Sequence, residues 1–574
     1  MRCADELPAM NTESDSIPRP RVQLLQGTVV GTTSQEGYPH AIEAFKGVPY
    51  ALPPTGERRF RPPEKVQPSE ETIDASKFGP RAPAQQFLKI GPTLDESEDC
   101  LTVNVFRQAR HSQSTALPVA VYFHGGAFNR GNAAMHDTAS MVGWSELPFI
   151  GVSFGYRIGA LGFLPSKLSA EEGALNLGLK DQICLLDWVE ENIQHFGGDK
   201  NNVTLMGLSA GAHSVRSSPI QCIFHNLTHH AQIGHHILNY EDGKKPKFHR
   251  AIIESGAPTS RAVRNPDAEI HEMQFVDFLK ELQCPPSLSG SEIFSYLRTL
   301  PTPAIAKAQT KVFQKYNPSL RWAFQPVIDH EIIRGRPIDA WRNGKWHKMP
   351  IMTSFQGNEG SLYVNKNMSK SSEFLDFWKI LLPQLSNDDI QTIHELYSDP
   401  NEVPDSVYKE TRLEHGVGPM YKRIEAAYAQ YAYVAPVRQT ASFASQDVPV
   451  YLYHWAMRRN IVDGARHGDN MLYGMRDPTI CSYSKTQDEL SGTLHAYITS
   501  FICTGSPNTL DGPYDHRPEW ESYDSARPRA MIFGRDNEEL IGGQTTGEPA
   551  VMVDDDWAKK ECEFWWSKVE LSQQ

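Results

Sequence analysis

The stretch Phe196-Gly197-Gly198-Asp199-Lys200-Asn201-Asn202-Val203-Thr204-Leu205-Met206-Gly207-Leu208-Ser209-Ala210-Gly211 runs a β-prone segment straight into a Gly-x-Ser-x-Gly turn. The order is strand, sharp turn, helix, with a serine at the tip. Gly207 and Gly211 carry no side chain to collide where the chain reverses, so a strained turn holds the Ser209 hydroxyl clear of the sheet. A hydroxyl placed in this way is a nucleophile in want of a base. Because a bare Gly-x-Ser-x-Gly also occurs as an ordinary turn, the reading rests on what surrounds it.

Upstream, residues 118–123 (Pro-Val-Ala-Val-Tyr-Phe) read as a strand buried on both faces, and they end in His124-Gly125-Gly126-Ala127-Phe128. Small residues there let backbone N–H groups turn toward a developing negative charge, which makes this turn an oxyanion-hole candidate. One further strand (148–154) and one helix (181–195) separate it from the elbow, the order that an α/β-hydrolase fold requires. Segments 22–30, 44–50 and 98–105 read as strands at one edge, and 250–254, 349–354 and 448–454 as further apolar strands alternating with helices. Together they predict an α/β chain with a large, mostly parallel central sheet and helices on both faces.

Composition narrows the partners. The 69 Asp and Glu against 56 Lys and Arg leave a formal charge of -13, which argues against nucleic acid, and no run is long and apolar enough for a membrane span. Residues 1–20 read as a disordered leader without the apolar segment of a secretory signal, and 21–574 as one catalytic domain. Eight scattered cysteines without a Cys-x-x-Cys pair predict neither a zinc site nor a disulfide frame. A reduced, cytoplasmic protein is the simplest expectation. Residues 372–444 are helical in period; their stripe of Phe374, Phe377, Trp378 and Leu381 reads as core packing, with a pocket-lining or membrane-touching lid as the alternative.

From about residue 22 to 520 the chain resembles the type-B carboxylesterases, the cholinesterase-like branch of the α/β-hydrolases. Glu98-Asp99-Cys100-Leu101-Thr102-Val103-Asn104-Val105 and the elbow stretch carry the resemblance. It implies a serine carboxylic-ester hydrolase without metal or organic cofactor, acting on a small-molecule ester. Glu359, in Gln356-Gly357-Asn358-Glu359-Gly360, matches the acid, and His467, in Arg466-His467-Gly468-Asp469, matches the base, with His454 as runner-up among twenty-one histidines. By the same resemblance Gly126, Ala127 and Ala210 supply the oxyanion N–H groups, and Leu320 and Trp322 limit the acid half of the ester. Arg59–Glu98 and Arg157–Asp181 are the implied structural ion pairs.

Departures from the family pattern point to a neutral, hydrophobic ester. Gly79 to Cys100 holds no tryptophan and no second cysteine, and Leu208 stands before the nucleophile where cholinesterases carry glutamate, a charge that favours cationic substrates. The competing functions are a lipase, a pathway-specific acyl or lactone hydrolase, or a non-catalytic adhesion or scaffold protein of the same fold. Cytoplasmic residence makes the sequons at Asn202, Asn226 and Asn367 chance matches.

Residues 215–232 interrupt the helix expected after the elbow. Ser217, Ser218 and Pro219 are poor helix residues, and without the tract Ala212-His213-Ser214 runs directly into Ile233-Gly234-His235-His236. His225, His229 and His230 show no fixed ligand spacing. An insertion so close to a nucleophile reads as an in-frame retained intron or gene-model error, which sequencing of the transcript checks.

Overall fold

The computed structural model describes residues 19–35, 37–85, 91–109, 115–212, 233–260, 263–512 and 517–571. The tract 215–232 lies outside them, as do residues 1–18 of the expected leader. In chain order the strands are β1 (Arg21–Leu24), β2 (Gly27–Val30), β3 (Thr32–Ser34), β4 (Ile42–Pro49), β5 (Thr72–Asp74), β6 (Thr102–Gln108) and β7 (Leu117–Phe123). They continue as β8 (Ile150–Phe154), β9 (Gly198–Leu208), β10 (Arg250–Glu254), β11 (Ile351–Gln356), β12 (Val450–Trp455), β13 (Arg529–Arg535) and β14 (Glu548–Asp554).

Eleven of these form one sheet in the order β14-β13-β12-β11-β10-β9-β7-β8-β6-β4-β3, and β1, β2 and β5 form a small second sheet. From β8 through β13 every pairing is parallel, whereas both edges are antiparallel. Parallel strands need crossovers that cover both faces, and the sequence complies: β8 is buried at every residue, and β9 is buried from Val203 onward after an exposed, polar entry at Lys200 and Asn201.

Two expected strands differ in extent. The 22–30 segment is a hairpin of β1 and β2, because buried Gln26 at its turn donates to the Pro49 carbonyl (2.6 Å) and accepts the Trp188 indole N–H (2.9 Å). The 98–105 segment becomes strand only at Thr102. Before that, the Cys100 N–H closes a tight turn on the Glu98 carbonyl (2.8 Å), and the Glu98 carboxylate is held at 2.6 and 2.8 Å by Arg59. The second implied pair is also present, Arg157 gripping buried Asp181 at 2.6 and 2.8 Å.

Helices Ser371–Leu381, Asn387–Leu396, Tyr421–Ala429 and Ala435–Ala444 occupy the 372–444 region. Phe374, Trp378 and Leu381 are buried there, with the Trp378 ring 4.8 Å from that of Trp565, so this stripe is core. After the elbow, Ser209–Ala212 forms a single 3-10 turn. On the far side of the undescribed tract, helix Ile233–Leu238 brings buried Ile233 beneath the turn, within about 3 Å of the space a Gly207 side chain would fill.

Candidate active site

Parallel strands bring their carboxyl ends to one edge, and loops leaving those ends share a crevice. Phe123 at the end of β7 pairs with Gly207 near the end of β9, so the His124–Gly126 turn and the Ser209 elbow leave the sheet side by side. They approach so closely that a Cβ on Gly125 would stand 2.7 Å from the Leu208 carbonyl oxygen, and one on Gly211 2.3 Å from that of Phe123. Ser209 itself takes φ +58, a left-handed conformation that costs a non-glycine residue energy and turns its side chain out of the strand line. Gly126 and Ala127 also have positive φ, and their N–H groups donate no hydrogen bond among the described residues. The Ala127 carbonyl is fixed instead, accepting from Asn129 (2.9 Å) and Gln325 (3.1 Å).

β11 and β12 deliver the other arm. Glu359, fully buried just past β11, accepts the Gln356 N–H on Oε1 (2.8 Å) and meets His467 Nδ1 on Oε2 (2.5 Å). That contact fixes the tautomer that leaves Nε2 unprotonated, and Nε2 has no hydrogen-bond partner among the described residues. The rings of Tyr433 and Tyr363 flank the imidazole at 4.7 and 5.2 Å. Behind the acid, the Gln356 amide donates to Ser255 Oγ (3.0 Å) and to Asn470 Oδ1 (2.6 Å). Asn470 in turn donates to Glu254 (2.9 Å), which also accepts the Tyr453 hydroxyl. Burial pushes the Glu254 carboxyl up to about 7 despite those donors. Asn358 pins the two catalytic loops together: its Oδ1 accepts the Ala465 N–H (3.0 Å) and its amide donates to buried Glu425 (3.1 Å).

Ser209 and His467 line one open pocket of about 970 Å3, together with Gly126, Ala127 and Leu208. Leu320 and Trp322 line a neighbouring cavity instead, and the Trp322 ring lies 5.5 Å from that of Tyr363 in the pocket wall. The runner-up His454 is half-buried, its ring between those of Phe355 and Trp557 and not part of the pocket wall, and desolvation lowers its pKa to about 3. Four arginines in the pocket wall, Arg81, Arg130, Arg459 and Arg466, were missed by the sequence reading. Only Arg466, adjacent to His467, carried a local signal.

The Carboxylesterase family model matches residues 18–565 of the chain. The chain belongs to this family. Among curated relatives of this carboxylesterase, Secreted lipase 4 of Gibberella zeae is 33% identical over 95% of this chain and 92% of its own. The Secreted triacylglycerol lipase LIP1 of the same organism is 27% identical over 93% of this chain and 92% of its own. The crystal structure of Aspergillus niger EstA superposes with a TM-score of 0.77 at 23% identity, covering 97% of this chain and 99% of that one, which shows a shared fold. The protein is therefore a carboxylic-ester hydrolase with the α/β-hydrolase fold.

One expectation is overturned. Two relatives aligned over nearly the whole chain are named as secreted, which contradicts a cytoplasmic protein. The inference from the 1–20 composition and the thiols failed because neither feature determines the compartment. Cys100 is indeed buried and free, but a free thiol inside the core is shielded from the redox state outside and does not report the compartment. With the compartment goes the reason for discounting the sequons: Asn367 and Ser369 are exposed, whereas Asn202 is bonded to Arg250 and Thr204 is fully buried.

Proposed function

We propose that this carboxylesterase works through Ser209 as nucleophile, His467 as base and acid, and Glu359 as the group that orients His467 and stabilises its cation. His467 Nε2 takes the hydroxyl proton as Ser209 Oγ attacks the ester carbonyl. The N–H groups of Gly126, Ala127 and Ala210 receive the oxyanion, each donor contributing about 2.7–4 kcal/mol. Collapse expels the alcohol, protonated by His467, and water then hydrolyses the acyl-enzyme by the same route in reverse. The observation that carries this reading is the buried Glu359–His467 contact in the same pocket as a serine held at positive φ.

The substrate is a carboxylic ester with an apolar acid half, in keeping with Leu208, Leu362 and Tyr363 in the pocket wall and with relatives named as lipases. Those relatives' names also support an extracellular site of action. A fluorophosphonate probe is expected to add its mass to the peptide bearing Ser209; labelling elsewhere, or none, removes the assignment. Rates across nitrophenyl esters from acetate to palmitate then give acyl preference. Trp322→Ala is expected to shift that preference toward longer acyl groups, and an equal loss across the series makes Trp322 a core residue only.

A further inference from the structure

The pocket that holds Ser209 has a charge it does not balance. Asp469 is the one carboxylate in its wall, against four guanidinium groups. Arg81 is answered from outside the wall by Glu96 at 2.6 Å, and Arg130 lies 4.7 Å over the Phe313 ring. Arg459 and Arg466 remain, and they share Asp469.

The sharing is unequal. Asp469 gives Oδ1 to Arg459 Nη1 at 2.9 Å and Oδ2 to the backbone N–H of Arg466 at 3.0 Å. The Arg466 guanidinium comes no nearer than 3.8 Å to Oδ1, beyond hydrogen-bonding distance. Its side chain is only 17% exposed, its Nε is buried without a partner, and the group makes no hydrogen bond among the described residues. Residues 86–90, which follow Gln85 in the sequence, and 213–232, which follow the elbow, contain no Asp or Glu and so supply no carboxylate. An arginine does not shed its charge, and an enclosed Nε–H without an acceptor is unfavourable unless a ligand supplies one.

Chemistry fixes which half of the ester that ligand group belongs to. The leaving alcohol oxygen takes its proton from His467, so the alcohol half lies against the loop that carries His467. Arg466 is next to His467 on that loop, and Asp469 and Leu472 continue the same wall. Leu208, in place of a carboxylate beside the nucleophile, leaves the positive charge unopposed from that side.

We propose that the alcohol half of the substrate carries a carboxylate, which Arg466, supported by Arg459, receives in the Ser209 pocket. A guanidinium without a hydrogen-bonded acceptor among the described residues suits a monoanion, and its planar fork fits a carboxylate with two parallel hydrogen bonds. This rests on the triad reading above and replaces the neutral ester expected from the sequence with one whose alcohol half carries a single negative charge.

The test compares 4-acetoxybenzoate with its uncharged methyl ester, methyl 4-acetoxybenzoate, on wild-type enzyme and on Arg466→Gln. The wild-type/variant ratio of ratios cancels the intrinsic reactivity of the two leaving groups. Arg466→Gln is expected to lower the kcat/KM ratio of charged to uncharged ester by about tenfold or more, the worth of a charge-assisted hydrogen bond. A ratio that moves by less than about twofold overturns the proposal. Calorimetric binding of 4-hydroxybenzoate and of methyl 4-hydroxybenzoate to the wild-type protein needs neither turnover nor a folded variant. The carboxylate is expected to bind about tenfold tighter or more, and equal or weaker binding also overturns the proposal. An enzyme that binds the carboxylate but hydrolyses neither ester contradicts the triad reading and leaves the anion site standing.

Discussion

The two arms of the catalytic pocket are built from different materials. On the β7 and β9 side, position is set by backbone: glycines packed against carbonyl oxygens, positive φ at Gly126, Ala127 and Ser209, and N–H groups of Gly126 and Ala127 without partners among the described residues. On the β11 and β12 side it is set by side chains: Glu359, His467, Gln356, Asn470, Glu254 and Tyr453 hold one another through buried hydrogen bonds. A backbone device tolerates no added atom, whereas a side-chain network tolerates change until a buried donor or acceptor loses its partner.

The largest expected effect tests whether the arms act as one machine. Ser209→Ala and His467→Ala each remove chemistry and no packing of consequence, so turnover falls by about 10⁶-fold while the far-ultraviolet circular dichroism spectrum is unchanged. If either variant turns over within about a hundredfold of wild type, the arms are not coupled.

Within the side-chain arm, Glu359→Gln keeps the shape and allows the wrong tautomer of His467. Turnover is expected to fall by about 10⁴-fold. A loss below about tenfold in steady-state kinetics assigns the holding of the ring to Tyr363 and Tyr433 instead.

The backbone arm has a matching probe. Gly125→Ala places a methyl group 2.7 Å from the Leu208 carbonyl oxygen and 3.2 Å from Ser209 Cβ. The turn must move away from the elbow, and a displacement of that kind costs about 10²-fold in kcat/KM. If the variant is as active as wild type by nitrophenyl ester assay, the close approach is not what sets the oxyanion geometry.

The smallest effect is read in stability. Glu254 sits at about 7 in the folded protein against an ordinary 4.5, so between those values the folded state keeps a proton that the unfolded state releases. Its contribution to stability is therefore largest below pH 4.5 and declines as pH rises toward 7, by about 3 kcal/mol at the most. Glu425 is raised to about 7 by burial as well and adds a decline of the same sign. Glu254→Gln is expected to flatten the fall in urea midpoint between pH 5 and 7. An unchanged slope means that the arm carries no buried, protonated acid at Glu254.

The same division explains what was legible beforehand. The strands from β7 onward and the elbow turn were legible in the sequence, because strained turns and buried strands impose local composition, whereas the Arg59–Glu98 and Arg157–Asp181 pairs came from family resemblance. Glu359 and His467 were found only through family resemblance: 108 positions apart, they carry no local pattern that marks them as partners. The supporting set of Ser255, Gln356, Asn470, Glu254 and Tyr453 was not found, since each is unremarkable in its own neighbourhood and acquires meaning where β10, β11 and β12 lie side by side.

Sequence by itself thus determined the fold class, the strained serine turn and the glycine turn beside it, because such turns are properties of a few consecutive residues whose backbone must adopt costly conformations. Tertiary structure alone decided that Leu320 and Trp322 line a second cavity and that Arg466 stands in the pocket without a hydrogen-bonded acceptor among the described residues. Those depend on which side chains, distant along the chain, arrive at one place, and on whether a charge finds its counterpart there.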